Sequence, residues 1–117
     1  MVLFNHRYLK VFVCSRIVDM RGGFESLGRI VSAEMGGDLL DGHVFLFFGR
    51  NRRRAKALLF DGTGLVLIHK RLETGRFMRP DEFENSGSIT MAELGLILDG
   101  TSFKLPLATR QFFLAEK

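Results

Sequence analysis

The chain has a single cysteine and no tryptophan in 117 residues. Cys14 cannot close an internal disulfide, and nothing beside it has metal-ligand spacing, which fits a reducing cytosol. It follows the apolar run Val11-Phe12-Val13 and reads as a buried strand residue; a reactive thiolate needs electropositive, partly exposed surroundings. No apolar stretch approaches the ~20 residues that span a bilayer. The first ten residues carry Asn5, His6, Arg7 and Lys10, and no long apolar segment follows them, so a signal peptide is not expected. These absences point to a cytoplasmic protein with no membrane partner.

Catalytic and cofactor signatures are missing too. His6, His43 and His69 are scattered, with no pair at i, i+3 or i+4, and neutral, hydrogen-bonded imidazoles are their default. Gly62-Thr63-Gly64 lacks the Lys-Ser/Thr and the following helix of a phosphate loop, and no serine has a nucleophile-elbow context. Asp19, Asp61 and Glu93 each have a local explanation, as a helix cap, a turn and a capping box. A two-metal nuclease needs carboxylates converging from separate elements, and none is suggested here. The expectation is no enzyme and no cofactor, with a small metal-dependent nuclease as a remote alternative. There is no internal repeat, low-complexity segment or linker.

What is present describes one globular domain over residues 1–117. Apolar residues make up 46% of the chain and charged residues 26%, a balance that buries a core. With twelve Phe, that core is expected to be built from Phe, Leu, Val and Ile. Lys10–Cys14 reads as a short strand. Asp19 offers an N-cap for a helix whose apolar face is Phe24, Leu27, Ile30, Val31 and Met35, closed by Gly36-Gly37. Gly22 and Gly23 weaken its start and suit close backbone packing. Val44–Phe48, Ala55–Phe60 and Leu65–His69 are strand candidates. The tight turn Asp61-Gly62-Thr63-Gly64 joins the last two. Pro80 to Gly87 reads as an acidic surface loop. Thr90-Met91-Ala92-Glu93 matches a capping box and opens a short helix that buries Met91, Leu94, Ile97 and Leu98, with Gly100 as C-cap. The segment 101–117 is a C-terminal extension, and Phe112, Phe113 and Leu114 make docking of part of it expected. The predicted fold class is α+β: a small antiparallel sheet, a three-stranded meander plus an N-terminal strand, with one or two packed helices. A free edge of that sheet could pair with a second copy.

Charge is concentrated in the middle of the chain. Of the formal net charge of +4, the window Gly49–Pro80 holds nine basic and two acidic residues. Arg50, Arg52, Arg53 and Arg54 crowd one loop; Lys56, Lys70, Arg71, Arg76 and Arg79 follow. Arginine's planar fork bonds phosphate bidentately, and each phosphate contact releases a counterion. The pattern signals a polyanion: nucleic acid, an acidic protein surface, or neither if the face is only solvated. Phe60 and Phe77 lie near the basic groups; stacking on bases competes with ordinary core packing, which twelve Phe in a small domain favour.

Several stretches occur together in a characteristic order: Val18-Asp19-Met20-Arg21-Gly22-Gly23-Phe24, Gly42-His43-Val44-Phe45-Leu46-Phe47, Phe60-Asp61-Gly62-Thr63-Gly64, and Lys70-Arg71-Leu72-Glu73-Thr74-Gly75-Arg76-Phe77 with Pro80. In this the chain resembles, over residues 17–100, the TnpB-type accessory proteins of the insertion-sequence 66 family of bacterial mobile elements. These are unrelated to the RNA-guided nucleases of the same name. Ile97-Leu98-Asp99-Gly100 stands where Leu-Leu-Glu-Gly is usual, and Gly22 where a basic residue is frequent. The resemblance implies an accessory of transposition with no catalytic residues, encoded beside a separate transposase. The expected partners are DNA and the transposase of the same element. The candidate contacts are Arg50, Arg52, Arg53, Arg54, Lys56, Lys70, Arg71 and Arg76. The alternative is a protein-interaction subunit with no direct DNA contact.

Overall fold

A strand, a helix and a second strand open the domain, and together they form a parallel crossover. In the computed structural model, which describes residues 9–105, β1 (Lys10–Ile17) runs into α1 (Phe24–Ala33), then a single 3-10 turn at Leu39–Asp41, then β2 (Val44–Phe48). β1 and β2 pair in parallel, Val11 beside Val44 and Val13 beside Leu46. β3 (Arg54–Phe60) and β4 (Leu65–Arg71) continue from β2 as antiparallel neighbours. After a 3-10 turn at Pro80–Phe83, β5 (Ser88–Thr90) pairs antiparallel with β1, and α2 (Met91–Leu98) follows directly. The five-stranded sheet has the order β4-β3-β2-β1-β5.

The expected meander is present as β2, β3 and β4, but the sheet is mixed rather than antiparallel. The connection from β1 to β2 is long and contains a helix, and such a connection returns the chain parallel to its start. β5, unread in the sequence, covers the other side of β1. β1 also reaches Ile17, beyond the expected Cys14, and β4 reaches Arg71, beyond His69.

Alternation along the strands sorts the core into two layers. All five residues of β2 are buried, as expected of a central strand covered on both faces. Val44, Leu46 and Phe48 join Ala55, Ala57 and Leu59 of β3, with Phe77, Phe83, Leu94 and Ile97, on one face. Phe45 and Phe47 join Leu58, Cys14, and Leu27 and Val31 of α1 on the other. α1 therefore covers one side of the sheet. α2 and the segment around Phe77 to Phe83 cover the other. Phe103 and Leu105 pack against the layer on the α2 side; the docking expected of Phe112, Phe113 and Leu114 lies outside the described residues.

The helix ends differ from the reading at one of two starts. Thr90 Oγ1 accepts from the Glu93 amide at 3.0 Å, and Glu93 Oε1 accepts from the Thr90 amide at 2.8 Å, so the capping box of α2 is formed. Asp19 does not cap α1. Gly23 occupies the N-cap position with no side-chain hydrogen bond. The Asp19 carboxylate instead accepts from the Arg21 amide at 2.9 Å and from its guanidinium at 2.7 Å. α1 ends at Ala33, and Gly36, in the left-handed region at φ 65°, redirects the chain beyond it. A Cβ at Gly22 would collide with Ser26 Oγ, which gives the close packing there its cause.

Candidate nucleic-acid interface

The arginine-rich link is a built turn rather than a loose loop. The Arg52 amide donates to Gly49 O and the Gly49 amide to Arg54 O, both at 3.0 Å. Asn51 Oδ1 accepts from the Arg53 amide at 3.0 Å. Arg52 itself sits in the left-handed region, φ 59°, the one described non-glycine residue to do so. That conformation costs an L-residue of order 1 kcal/mol and persists only where neighbours hold it. The neighbours are in the segment after β4. The Phe77 amide donates to Arg52 O at 2.7 Å and the Leu72 amide to Arg53 O at 2.8 Å, while Arg52 Nη1 reaches Phe77 O at 3.4 Å.

The structure does not gather all of the candidate contacts on one surface. Arg50 and Arg53 are exposed at the turn, and Arg76 is exposed on the segment that backs it. Register places Arg54 opposite Arg71, Ala55 opposite Lys70, and Lys56 opposite His69. Cross-strand partners share a face and successive residues alternate. Arg54, Lys56, His69 and Arg71 therefore stand on the α1 side, and Lys70 on the opposite side with Ala55. Lys56 leaves the set of exposed contacts altogether. It is 7% exposed, and its Nζ donates to Gly22 O at 2.7 Å. A buried ammonium is tolerable only with such a partner, so Lys56 joins β3 to the entrance of α1.

His69 lies on the same face of the hairpin as Arg54 and Arg71. In the sequence it is one of three scattered histidines, and its place two residues before Arg71 is the one signal available there. His69 is exposed, yet the desolvation its ring does suffer, together with the cations Lys56 and Arg54, holds its imidazole below the ordinary histidine pKa. Of the other aromatic and histidine candidates, Phe77 and His43 have structural roles, and His6 lies outside the described residues. Phe77 is 1% exposed, with its ring 5.7 Å from that of Phe48, so it packs in the core and offers no face to a base. Phe60 is half-buried at the Asp61 turn. His43 Nδ1 accepts from the Lys10 amide at 3.1 Å. Cys14 is buried, and burial pushes its thiol up.

Two open grooves flank Arg50. One, of about 480 Å³, is lined by Asp19, Met20, Arg21, Arg50, Asn51 and Arg54 among others. The second, of about 400 Å³, is bounded by Arg16, Arg50, Arg52, Arg79 and Asp81. Several arginines in and around these grooves already hold carboxylates. Arg16 grips Glu34 with two bonds of 2.6 and 2.7 Å, Arg21 pairs with Asp19 at 2.7 Å, Arg71 with Glu73 at 3.1 Å, and Arg79 with Asp81 at 3.3 Å. Among the described residues, Arg50, Arg53, Arg54 and Arg76 make no ion pair. The Asp19 carboxyl is lowered to about 2, first by the side-chain bond from Arg21 and then by its amide. Among the described residues no three His, Cys, Asp or Glu are placed to hold a metal, and no helix is long and apolar enough to cross a membrane.

A small α+β domain with a two-sided mixed sheet and a rigid arginine turn at one sheet end is the class defined by this geometry. The chain belongs to the IS66 Orf2-like protein family, which matches residues 9–107. That span takes in β1 and the start of the C-terminal extension, more than the 17–100 legible from motifs. The family associates the chain with insertion-sequence transposition. Among its relatives is the uncharacterized protein y4hO of Sinorhizobium fredii, 35% identical over 101 residues, covering 86% of this chain and 88% of that one. The uncharacterized protein y4jC of the same organism is 29% identical over 94 residues, 80% of each chain. No solved structure matches.

Proposed function

We propose that this protein is a non-catalytic accessory of transposition that binds DNA through the arginine turn between β2 and β3. The observation that carries the reading is the state of that turn. Four of its five residues from 50 to 54 are arginines. Two backbone hydrogen bonds from the segment after β4 fix its shape, and among the described residues none of its four guanidiniums pairs with a carboxylate. A solvated face needs no such fixing. A surface that meets phosphates gains from it, because preorganised arginines lose less freedom on binding. Arg50, Arg52, Arg53, Arg54 and Arg71 are the proposed contacts, with Arg76 beside them.

The test is fluorescence anisotropy with a labelled duplex carrying the element's terminal repeat, against a scrambled duplex, across a salt series. Binding that weakens with salt is expected. Replacing Arg52, Arg53 and Arg54 together with Ala is expected to weaken it on both duplexes and to reduce the logarithmic salt slope by about two to three. Unchanged affinity in a folded triple variant overturns the reading. Absence of wild-type binding even at low salt also overturns it and favours an acidic surface of the transposase as the partner.

A further inference from the structure

The two faces of the β3–β4 hairpin end carry different chemistry, although the sequence alternates basic residues onto both. On the α1 side, Arg54 and Arg71 are direct cross-strand partners, and His69 lies one pair further along, opposite Lys56. Like charges placed directly opposite destabilise a strand pair. The carboxylates nearby relieve this only in part. Glu73 takes Arg71, but its side chain is 79% exposed. Asp19 is held by Arg21. The Lys56 ammonium lies beneath, fixed on Gly22 O. Arg54 has no ion pair among the described residues. The groove bordered by Arg50 and Arg21 opens onto Arg54, so the cationic surface continues from the turn onto the sheet.

We propose that a DNA phosphodiester backbone lies along this track, from Arg50 in the groove to Arg54, Arg71 and His69 on the α1 face, with His69 protonated when a phosphate sits beside it. The inference rests on the DNA-binding reading and assigns it a face and a further contact. The groups around His69 set the direction of the proton. Lys56 and Arg54 on β3 oppose a charge on the imidazole, and Arg71, engaged with Glu73, stands on the same face of its own strand. The Asp19–Arg21 pair beyond Lys56 is close to neutral as a unit, and Glu73 is engaged with Arg71. An arriving phosphate offsets these cations and supplies an acceptor, which favours the imidazolium. By linkage, binding then takes up a proton, and affinity rises as pH falls.

Lys70 and Arg71 are adjacent and alike in charge but face opposite sides, which makes them the discriminating pair. Anisotropy with the same duplex at low salt is expected to show Arg71→Ala weakened, its salt slope lower by about one, and Lys70→Ala close to wild type. As pH falls through the DNA-bound pKa of His69 towards its free value, which lies below the ordinary 6.5, wild-type affinity is expected to rise, by about tenfold in total for each pKa unit that the phosphate adds to His69. His69→Gln should flatten that rise and leave far-UV circular dichroism unchanged. A second readout is the imidazole shift of His69 by NMR, which should titrate at higher pH with DNA than without. Equal losses in Lys70→Ala and Arg71→Ala, or a wild-type pH slope in His69→Gln, overturn the track while leaving DNA binding by the turn intact. Failure of the wild type to bind at any pH overturns both.

Discussion

The Phe77 amide donates a 2.7 Å hydrogen bond to the carbonyl of Arg52, and this bond joins the buried core to the tip of the basic turn. Phe77 is anchored by its ring against Phe48, so the left-handed conformation of Arg52 is held from inside the domain. Strain kept at a half-buried arginine predicts a trade-off. Arg52→Gly is expected to keep or raise stability, by up to about 1 kcal/mol, because glycine adopts positive φ without a Cβ clash and its chain-entropy cost offsets part of the relief. DNA affinity should fall in the same variant. Arg52→Ala keeps the strain and should not be stabilised. Urea unfolding of the two variants checks this, and equal stability would count against strain at residue 52.

The buried ammonium of Lys56 gives a second expectation. Lys56→Met keeps the aliphatic stem and removes the donor to Gly22 O. A hydrogen bond from a charged donor contributes about 1.5–3 kcal/mol, and relief of ammonium desolvation offsets part of its loss. A net destabilisation of about 1 kcal/mol is therefore expected in urea unfolding. The same variant removes a cation facing His69, so the His69 pKa should rise when followed by NMR.

Acid should destabilise the domain in two windows. The folded-state pKa of Asp19 is about 2 against an ordinary 3.8, and Asp61 and Glu34 are also lowered, by turn amides and by Arg16 respectively. Depressed carboxylates stabilise the fold above their unfolded values and lose that contribution as pH falls through the folded ones, here from about 4 towards 2. His69 is lowered as well, so the unfolded chain binds its proton first and stability declines as pH drops below the ordinary value of 6.5. Thermal unfolding across pH should show a shallower low-pH decline in Asp19→Asn and a flatter response near pH 6 in His69→Gln.

Phe48 is fully buried between the rings of Phe77 and Phe83, at 5.7 and 6.1 Å. Phe48→Ala is expected to cost about 3–5 kcal/mol, a large part of a typical domain's stability. Because Phe77 loses its packing partner, amide exchange at Phe77 should speed up in this variant even where the fold survives.

The sequence made the sheet's central strands legible and left their directions hidden. β2 was readable to the residue because a five-residue apolar run between Gly42-His43 and Gly49 admits one assignment. The parallel pairing of β1 was implied by the helix between it and β2, but strand-like turns elsewhere favoured an antiparallel guess. β5 is three residues long and merges into the capping box of α2, so no periodicity could show it. Asp19 looked like a cap because acidic residues before a helix usually are; Arg21, two residues on, competes for the same carboxylate. At the candidate interface, composition located the arginine turn. Which basic residues share a face depends on strand register. Composition therefore groups Lys56 and Lys70 with Arg71 and leaves His69 out.

β1 lies between a neighbour that follows it by about one helix and another, β5, that begins only at Ser88. During synthesis one side of β1 must therefore wait for most of the domain to emerge. Until then its Lys10–Phe12 stretch presents unpaired amides and carbonyls, the kind of edge that recruits strands from other chains. A product truncated before Ser88 keeps the whole arginine turn but leaves that edge open. Such fragments are expected to be sticky and short-lived, even though the basic turn is complete.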